Sequence, residues 1–316
     1  MKRTTLALGI LACGHCAFAS SSPDKDRELQ KPVCVLPYGQ TIDASDIPRQ
    51  IRPDERWMSK LRDDLPISLV SIPATHDAGT ALGVTGWTRC QVLTIAGQLL
   101  LGIRGFDIRL RLVHGRLAVF HNEESQKIDF ESVMSALTRF LTAHPREFIV
   151  MRIREESRQI GSEGSFLQAF QGVMTSKRYH NVFYRSTSRT SIPFTKDVRG
   201  KIVILDNYGK LPFAIEYPNP TMSVQDDYDT SDMNKKVAEI ETKFHDAETA
   251  PDGKVWHVNY TSSSTVTVDQ LANAKAVNVK VEQYLQGRRG HLGLVFMNFP
   301  GARVIREIIE SNRYRH

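Results

Sequence analysis

The chain has 316 residues, a formal charge of +6, 41% hydrophobic residues and 24% charged residues. That balance is the one of a globular protein and allows one large domain or two ordinary ones. No basic block is interleaved with aromatics, which argues against nucleic acid, and after the first residues no apolar run is long enough to span a bilayer.

Residues 1–19 read as a targeting segment. Lys2 and Arg3 make a basic start, Thr5 to Cys13 an apolar run, and Ala17-Phe18-Ala19 an A-x-A cleavage pattern. The rival reading is a lipoprotein signal, with Ile10-Leu11-Ala12 ahead of Cys13. The expected location is therefore secreted or periplasmic, or lipid-anchored through Cys13. Loss of this segment lowers the formal charge from +6 to +4, since Lys2 and Arg3 leave with it. A mildly basic surface suits an anionic membrane and is also ordinary for an exported protein. Cys13 and Cys16 lie in the segment. Cys34 and Cys90 remain, either as a disulfide or as two thiols, and neither has the spacing of a zinc site.

Residues 20–56 are polar and rich in Pro, Asp and Ser, and read as an extended arm. Residues 57–316 read as a single domain. Strand-like runs stand at Ser68–Pro73, Gly105–Val113, Leu117–Phe120, Phe148–Ile153, Lys201–Leu205, Val255–Tyr260 and Leu292–Phe299. Helical spacing fills the intervals Gln91–Leu101, Phe130–Leu141, Phe166–Thr175, Met233–Ala247, Val268–Leu285 and Val304–Ser311. In Phe130–Leu141 the residues Phe130, Val133, Met134, Leu137, Phe140 and Leu141 share one face, with Asp129 as N-cap. Alternating strands and helices predict an α/β chain with a largely parallel sheet, an irregular (β/α)8 TIM-type barrel short of some helices. An open doubly wound sheet is the alternative, but no Gly-rich phosphate loop follows the first strand.

In such a barrel, reactive groups sit at the C-terminal ends of strands. Those ends carry His76 and Asp77 in the stretch Ser71-Ile72-Pro73-Ala74-Thr75-His76-Asp77-Ala78-Gly79-Thr80. They also carry Asp107 and Arg109, His121, Arg154 and Glu156, Asp206 and Asn207, Asn259 and Thr261, and Asn298. Two histidines and two arginines at one mouth suit an anionic substrate that needs a base and an acid. Arg109 stands two residues after Asp107, so the two share a strand face. A guanidinium there competes with a divalent cation and supplies permanent positive charge with a fork that fits phosphate oxygens. No metal and no cofactor is expected.

Together SIPATHDAGT, LGIRGFDIRLRL, His121 after an apolar strand, EFIVMRIREE, RGKIVIL and SVQDDY resemble bacterial phosphatidylinositol-specific phospholipase C, from about Ser68 to about Phe299. The resemblance implies that His76 is the general base, His121 the general acid, Asp77 the carboxylate assisting the acid, and Arg109 the replacement for the calcium of metal-dependent relatives. It implies substrate contacts at Arg154 (a lysine in the family), Asp226 and Tyr228, beside which Asp107 and Glu156 are substrate-binding candidates from their place at the strand ends. Two positions depart. Asn207 stands where the family has an inositol-contacting arginine, and Asn298 where it has an aspartate supporting the base. The implied reaction is attack of the inositol 2-hydroxyl on phosphorus, giving diacylglycerol and a cyclic inositol phosphate. The implied partners are an inositol phospholipid and the membrane surface, with Trp87 as an interfacial anchor or a residue packed on the barrel, and the chain acting as a monomer. Two other readings stand beside this one: a metal-dependent barrel phosphodiesterase with another headgroup, and a non-catalytic headgroup-binding protein.

Overall fold

A computed structural model describes residues 47–312, apart from 84, 86, 251 and 265–269. The targeting segment, Cys13, Cys34 and most of the arm lie outside the described residues.

Ten strands form one sheet: β1 (Ile72–Thr75), β2 (Gly105–Val113), β3 (Arg116–His121), β4 (Glu124–Asp129), β5 (Ile149–Glu155), β6 (Ile202–Asp206), β7 (Ile215–Glu216), β8 (Met222–Gln225), β9 (Trp256–Tyr260) and β10 (Leu294–Met297). Eight run in the order β7-β6-β5-β2-β1-β10-β9-β8, and every pair along that path is parallel. The path curls into the expected irregular barrel. Among the described residues no pairing joins β7 to β8, so the seam lies there. Helices α1 (Ile95–Leu100), α2 (Phe130–Ala143), α3 (Phe166–Thr175), α4 (Thr195–Val198), α5 (Met233–Glu248), α6 (Gln270–Leu285) and α7 (Ala302–Glu310) cover the outside. No helix separates β6 from β7 or β7 from β8, which is the anticipated shortfall.

Period-two alternation divides the apolar residues into two cores. Ile72 and Ala74, Phe148 and Val150, Val203 and Leu205, Val258 and Tyr260, and Leu294 and Phe296 fill the barrel interior. The intervening residues, such as Phe106, Ile108, Ile149, Met151 and Val295, pack against the helices. One further step along each inward-facing series brings His76, Arg152, Asn207 and Asn298 to the mouth, where polar groups replace the apolar layers. Gly105 leaves the interior room to close, since a Cβ there would stand 2.4 Å from the Ala74 Cβ.

The helix spacing over 130–141 holds in detail. The six residues of its apolar face are the buried ones, and Asp129 accepts from the Ser132 N–H at 2.7 Å. Other expectations need correction. The apolar run from Ser68 begins as a 3-10 turn at Ile67–Leu69, and the strand starts only at Ile72. The run Leu117–Phe120 is not a barrel strand. β2 outgrows the barrel, turns at His114 and Gly115 with φ of 45° and 75°, and returns antiparallel as β3. β7 has only two residues, and β8 carries just two alternating apolar residues, Met222 and Val224, too short a pattern to mark a strand.

At the end of the strands away from the mouth, a buried ion pair joins the residue before β2 to the segment leading into β5. Arg104 Nε lies 2.9 Å from Glu147 Oε2, with both side chains fully buried. The remaining Arg104 donors reach the carbonyls of Leu99, Ile103 and Glu55, and the Glu147 carboxylate accepts from the Ser59 N–H at 2.9 Å. Replacing Glu147 by Ala strands the guanidinium in the interior. The expected loss is about 3–5 kcal/mol, read as a lower urea midpoint with unchanged slope. A midpoint within experimental error of the parent would show the pair to be dispensable.

Candidate active site

The turn after β1 is pinned from three sides. The His76 N–H donates to the Met297 carbonyl at 3.0 Å, and the Gln91 Nε2 bridges the carbonyls of His76 and Met297 at 2.7 and 3.0 Å. The Gln98 amide donates to the Ala78 and Leu93 carbonyls and accepts from the Thr75 hydroxyl. Asp77 takes the left-handed conformation, φ 45°, which folds its carboxylate under the histidine.

The tautomer of His76 follows from its partners. Arg109 Nη2 lies 2.6 Å from His76 Nε2, and a guanidinium can only donate. Nε2 is therefore the lone-pair nitrogen, and Nδ1 carries the proton, which it donates to Asn298 Oδ1 at 2.9 Å. Asn298 is turned that way because its Nδ2 donates to Gln270 Oε1 at 2.6 Å. Its backbone carbonyl is held by Asn278 at 2.9 Å. Burial lowers the His76 pKa below the ordinary histidine value. Asp77 and Asp107 oppose that shift and Arg109 reinforces it. The result is a neutral imidazole with its basic nitrogen facing the mouth.

Below it runs a chain of alternating charge. Arg109 Nε meets Asp77 Oδ1 at 2.8 Å and Asp107 Oδ2 at 3.4 Å, and its Nη1 is 3.7 Å from Glu156 Oε1. Asp107 is paired on its other oxygen with Arg152 Nη1 at 2.6 Å. Burial alone would raise the Asp107 pKa, but the two guanidiniums hold it well below the usual carboxylate range. Burial likewise disfavours the Arg109 charge, and Asp77, Asp107 and Glu156 more than restore it.

His121 reaches the same place from the β2–β3 excursion. Its Nε2 is 3.6 Å from Asp77 Oδ2, the oxygen that lies 3.4 Å from His76 Nε2. Its Nδ1–H donates to the Thr88 carbonyl at 3.0 Å. Glu156 accepts from the Asn122 N–H at 2.9 Å, so the end of β5 steadies the turn that follows His121.

The other expected residues divide. Asp107 and Glu156 are buried partners of Arg109 and Arg154. Arg154 is half exposed and lies 3.5 Å from Glu156. The Asn207 amide is occupied by protein, accepting from Arg152 Nη2 and donating to the Tyr217 carbonyl at 3.0 Å. Asp226 and Tyr228 stand on the loop after β8, with Tyr228 63% exposed. Partial desolvation of the Asp226 carboxyl raises its pKa, against the pull of His76, Lys236 and Arg152. Sequence reasoning missed Gln91, Gln98, Gln270 and Arg152. For the glutamines no local signal exists. Arg152 was findable, since it lies two residues before Arg154 on the same strand face.

His76, Asp77 and Cys90 bring ligand atoms within 4.8 Å of one another. The set does not fit a metal. Arg109 already occupies the lone pair of His76 and pairs with Asp77, and burial and Asp77 raise the pKa of the Cys90 thiol well above its ordinary value, so it is not a thiolate. Cys90 is a free, buried thiol facing Asp77 at 3.8 Å.

Comparison with known proteins agrees with this geometry. Residues 65–208 match the family "Phosphatidylinositol-specific phospholipase C, X domain". A 1-phosphatidylinositol phosphodiesterase of Listeria monocytogenes is 32% identical over 282 residues, which cover 82% of this chain and 86% of that protein. The solved Listeria monocytogenes phosphatidylinositol-specific phospholipase C superposes with a TM-score of 0.72 at 28% identity, covering 82% of this chain and 98% of that one. A Staphylococcus aureus phosphatidylinositol-specific phospholipase C shares the fold, with a TM-score of 0.75 at 23% identity over 81% of this chain and 97% of that one.

Asn298 supports His76 with a neutral oxygen. In Asn298→Asp a carboxylate replaces it, and Gln270 turns its amide to donate. A carboxylate beside a histidine raises its pKa. The acid limb of the kcat/KM profile should move up by roughly one pH unit, with higher turnover at neutral pH. Unmoved limbs across the pH range would show that Asn298 only holds the ring.

Proposed function

This chain belongs to the phosphatidylinositol-specific phospholipase C family, and we propose that it cleaves phosphatidylinositol, or its glycosylated forms, with His76 as base, His121 as acid and Arg109 on the phosphate. The observation that carries the reading is that both histidine Nε2 atoms face one Asp77 oxygen within 3.6 Å, with the Arg109 guanidinium against it.

The steps follow from the tautomers. The inositol 2-hydroxyl takes the place of Arg109 Nη2 at His76 Nε2 and gives up its proton there. The phosphate draws the freed guanidinium, which stabilises charge on the non-bridging oxygens. The hydroxyl oxygen attacks phosphorus, and His121 protonates the departing diacylglycerol oxygen. Asp77 supports the imidazolium of His121 before transfer and that of His76 after it. The nucleophile is carried by the substrate, so the fold contributes positioning and charge rather than a covalent intermediate. The products are diacylglycerol and a cyclic inositol phosphate.

The lipid has to be met at a surface. Trp87 and Tyr228, 45% and 63% exposed, stand on loops after β1 and β8, the mouth end of the barrel. An indole and a phenol at that height suit the headgroup level of a bilayer. Among the described residues no helix is long and apolar enough to cross a membrane. The basic start and A-x-A pattern of residues 1–19 support export by cleavage or, through Cys13, by lipid attachment.

Two tests bear on the mechanism. His76→Ala and His121→Ala should each lower turnover on phosphatidylinositol by roughly a hundredfold or more while the thermal transition is retained, since each removes one end of the proton transfer. Near-parental turnover in either variant would retire the assignment. Activity should also persist in excess chelator, because Arg109 supplies the positive charge. Loss in chelator with recovery on added calcium would favour the metal-dependent reading.

A further inference from the structure

Two buried arginines stand near opposite ends of the barrel strands, and they are satisfied differently. Arg104, at the end away from the mouth, turns its guanidinium on Glu147 and on the carbonyls of Leu99, Ile103 and Glu55. Arg152, at the mouth, is 7% exposed, yet among the described residues it makes only two hydrogen bonds, Nη1 to Asp107 and Nη2 to Asn207. Its Nε is buried without any partner. A guanidinium has five N–H donors, so about three remain unspent. Leaving buried charged donors unpaired is costly, and in a native protein such a group needs a reason.

The geometry around it supplies one. Arg152 is the register partner of Asp107 and lies on the inward face of β5. Its guanidinium carbon stands over the Tyr217 ring, 5.0 Å from the centroid. Asn207 holds it from the next strand, because its Nδ2 is fixed on the Tyr217 carbonyl and its oxygen is left for Arg152. Asp226 lies within electrostatic reach of both Arg152 and His76, and no protein donor among the described residues occupies its carboxylate. A clamped donor on β5 and an exposed, unengaged carboxylate on the loop after β8 are what two neighbouring hydroxyls require, one accepting from the guanidinium and one donating to the carboxylate.

We infer that Arg152, aimed by Asn207 and Tyr217, is a specificity-determining residue of this site that donates hydrogen bonds to ring hydroxyls of a cyclic polyol headgroup. The half-exposed Arg154, which stands where the family resemblance implies a lysine near the headgroup, is the outer of the two cations. The inference rests on the proposed phosphatidylinositol cleavage. In it Arg152 touches the substrate, and Asn207 is a positioning residue.

The test pairs enzyme variants with substrate variants in mixed micelles. Parent and Arg152→Met are assayed on phosphatidylinositol and on analogues lacking one ring hydroxyl other than the 2-hydroxyl. Loss of a charge-assisted hydrogen bond should lower kcat/KM of Arg152→Met on phosphatidylinositol by roughly 10–100-fold. On the analogue missing the contacted hydroxyl, parent and variant should agree within about threefold, because the bond is absent from both. An equal penalty on every analogue would mean that Arg152 only supports Asp107, and the inference would fall. Should Arg152→Met not fold, Asn207→Ala keeps the Arg152–Asp107 pair and loses only the aim. It should show the same convergence with a smaller penalty, and an equal penalty on all substrates would again overturn the idea. Inactivity of the parent on phosphatidylinositol itself would refute the proposed function rather than the role of Arg152.

Discussion

The site depends on one buried sequence of charges: Arg152, Asp107, Arg109, Asp77. Asp107 is fully buried and shared by two guanidiniums, at 2.6 Å to Arg152 and 3.4 Å to Arg109. Each charge is unfavourable inside a protein by itself, and each is held by the next. The order has a chemical consequence. Arg109 stays charged, so it can serve phosphate without a metal. His76 sits where burial and that guanidinium keep it neutral, so it can serve as a base. The same carboxylate, Asp77, faces both histidines, and the two halves of the proton transfer are thereby tied to one group.

The two ends of the barrel show how one architecture yields both stability and function. Interior positions along each strand carry apolar side chains through the middle. At the end away from the mouth, Arg104 and Glu147 pack toward the helix layer with their hydrogen bonds spent on protein. At the mouth the inward face of the strands continues into His76 and Arg152, which retain capacity for partners outside the chain, and into Asn207 and Asn298, whose amides are spent on aiming them. The β2–β3 excursion adds what strand ends alone cannot. It carries His121 back over the rim, so acid and base approach from different directions.

Neutral amides do much of the orientation. Gln91 and Gln98 hold the turn after β1. Gln270 sets the face of the Asn298 amide, which sets the tautomer of His76. An amide fixes direction without adding charge, so the base remains weakly basic in the resting site. A carboxylate in its place would make a stronger bond to the imidazolium at the cost of a further buried charge.

What the sequence determined by itself was the periodic and the local. Alternation of apolar strands with helical spacing specified a parallel α/β barrel, and the face of Phe130–Leu141 with its Asp129 cap could be read residue by residue, because these depend on neighbours within a few positions. His76, Asp77, Arg109 and His121 were legible as polar groups at strand ends and from the motifs they sit in. Only the tertiary structure decided the rest. Leu117–Phe120 looked like another barrel strand, but a strand's partner and direction are set by register across the chain, not by its own pattern. Arg152 rather than Arg154 faces the floor of the mouth because of cross-strand pairing with Asp107. The role of Gln270 depends on a contact with Asn298, 28 residues away. A side chain's chemistry is written at its own position, but its partners, and so its charge, tautomer and aim, come from chain segments that folding alone brings beside it.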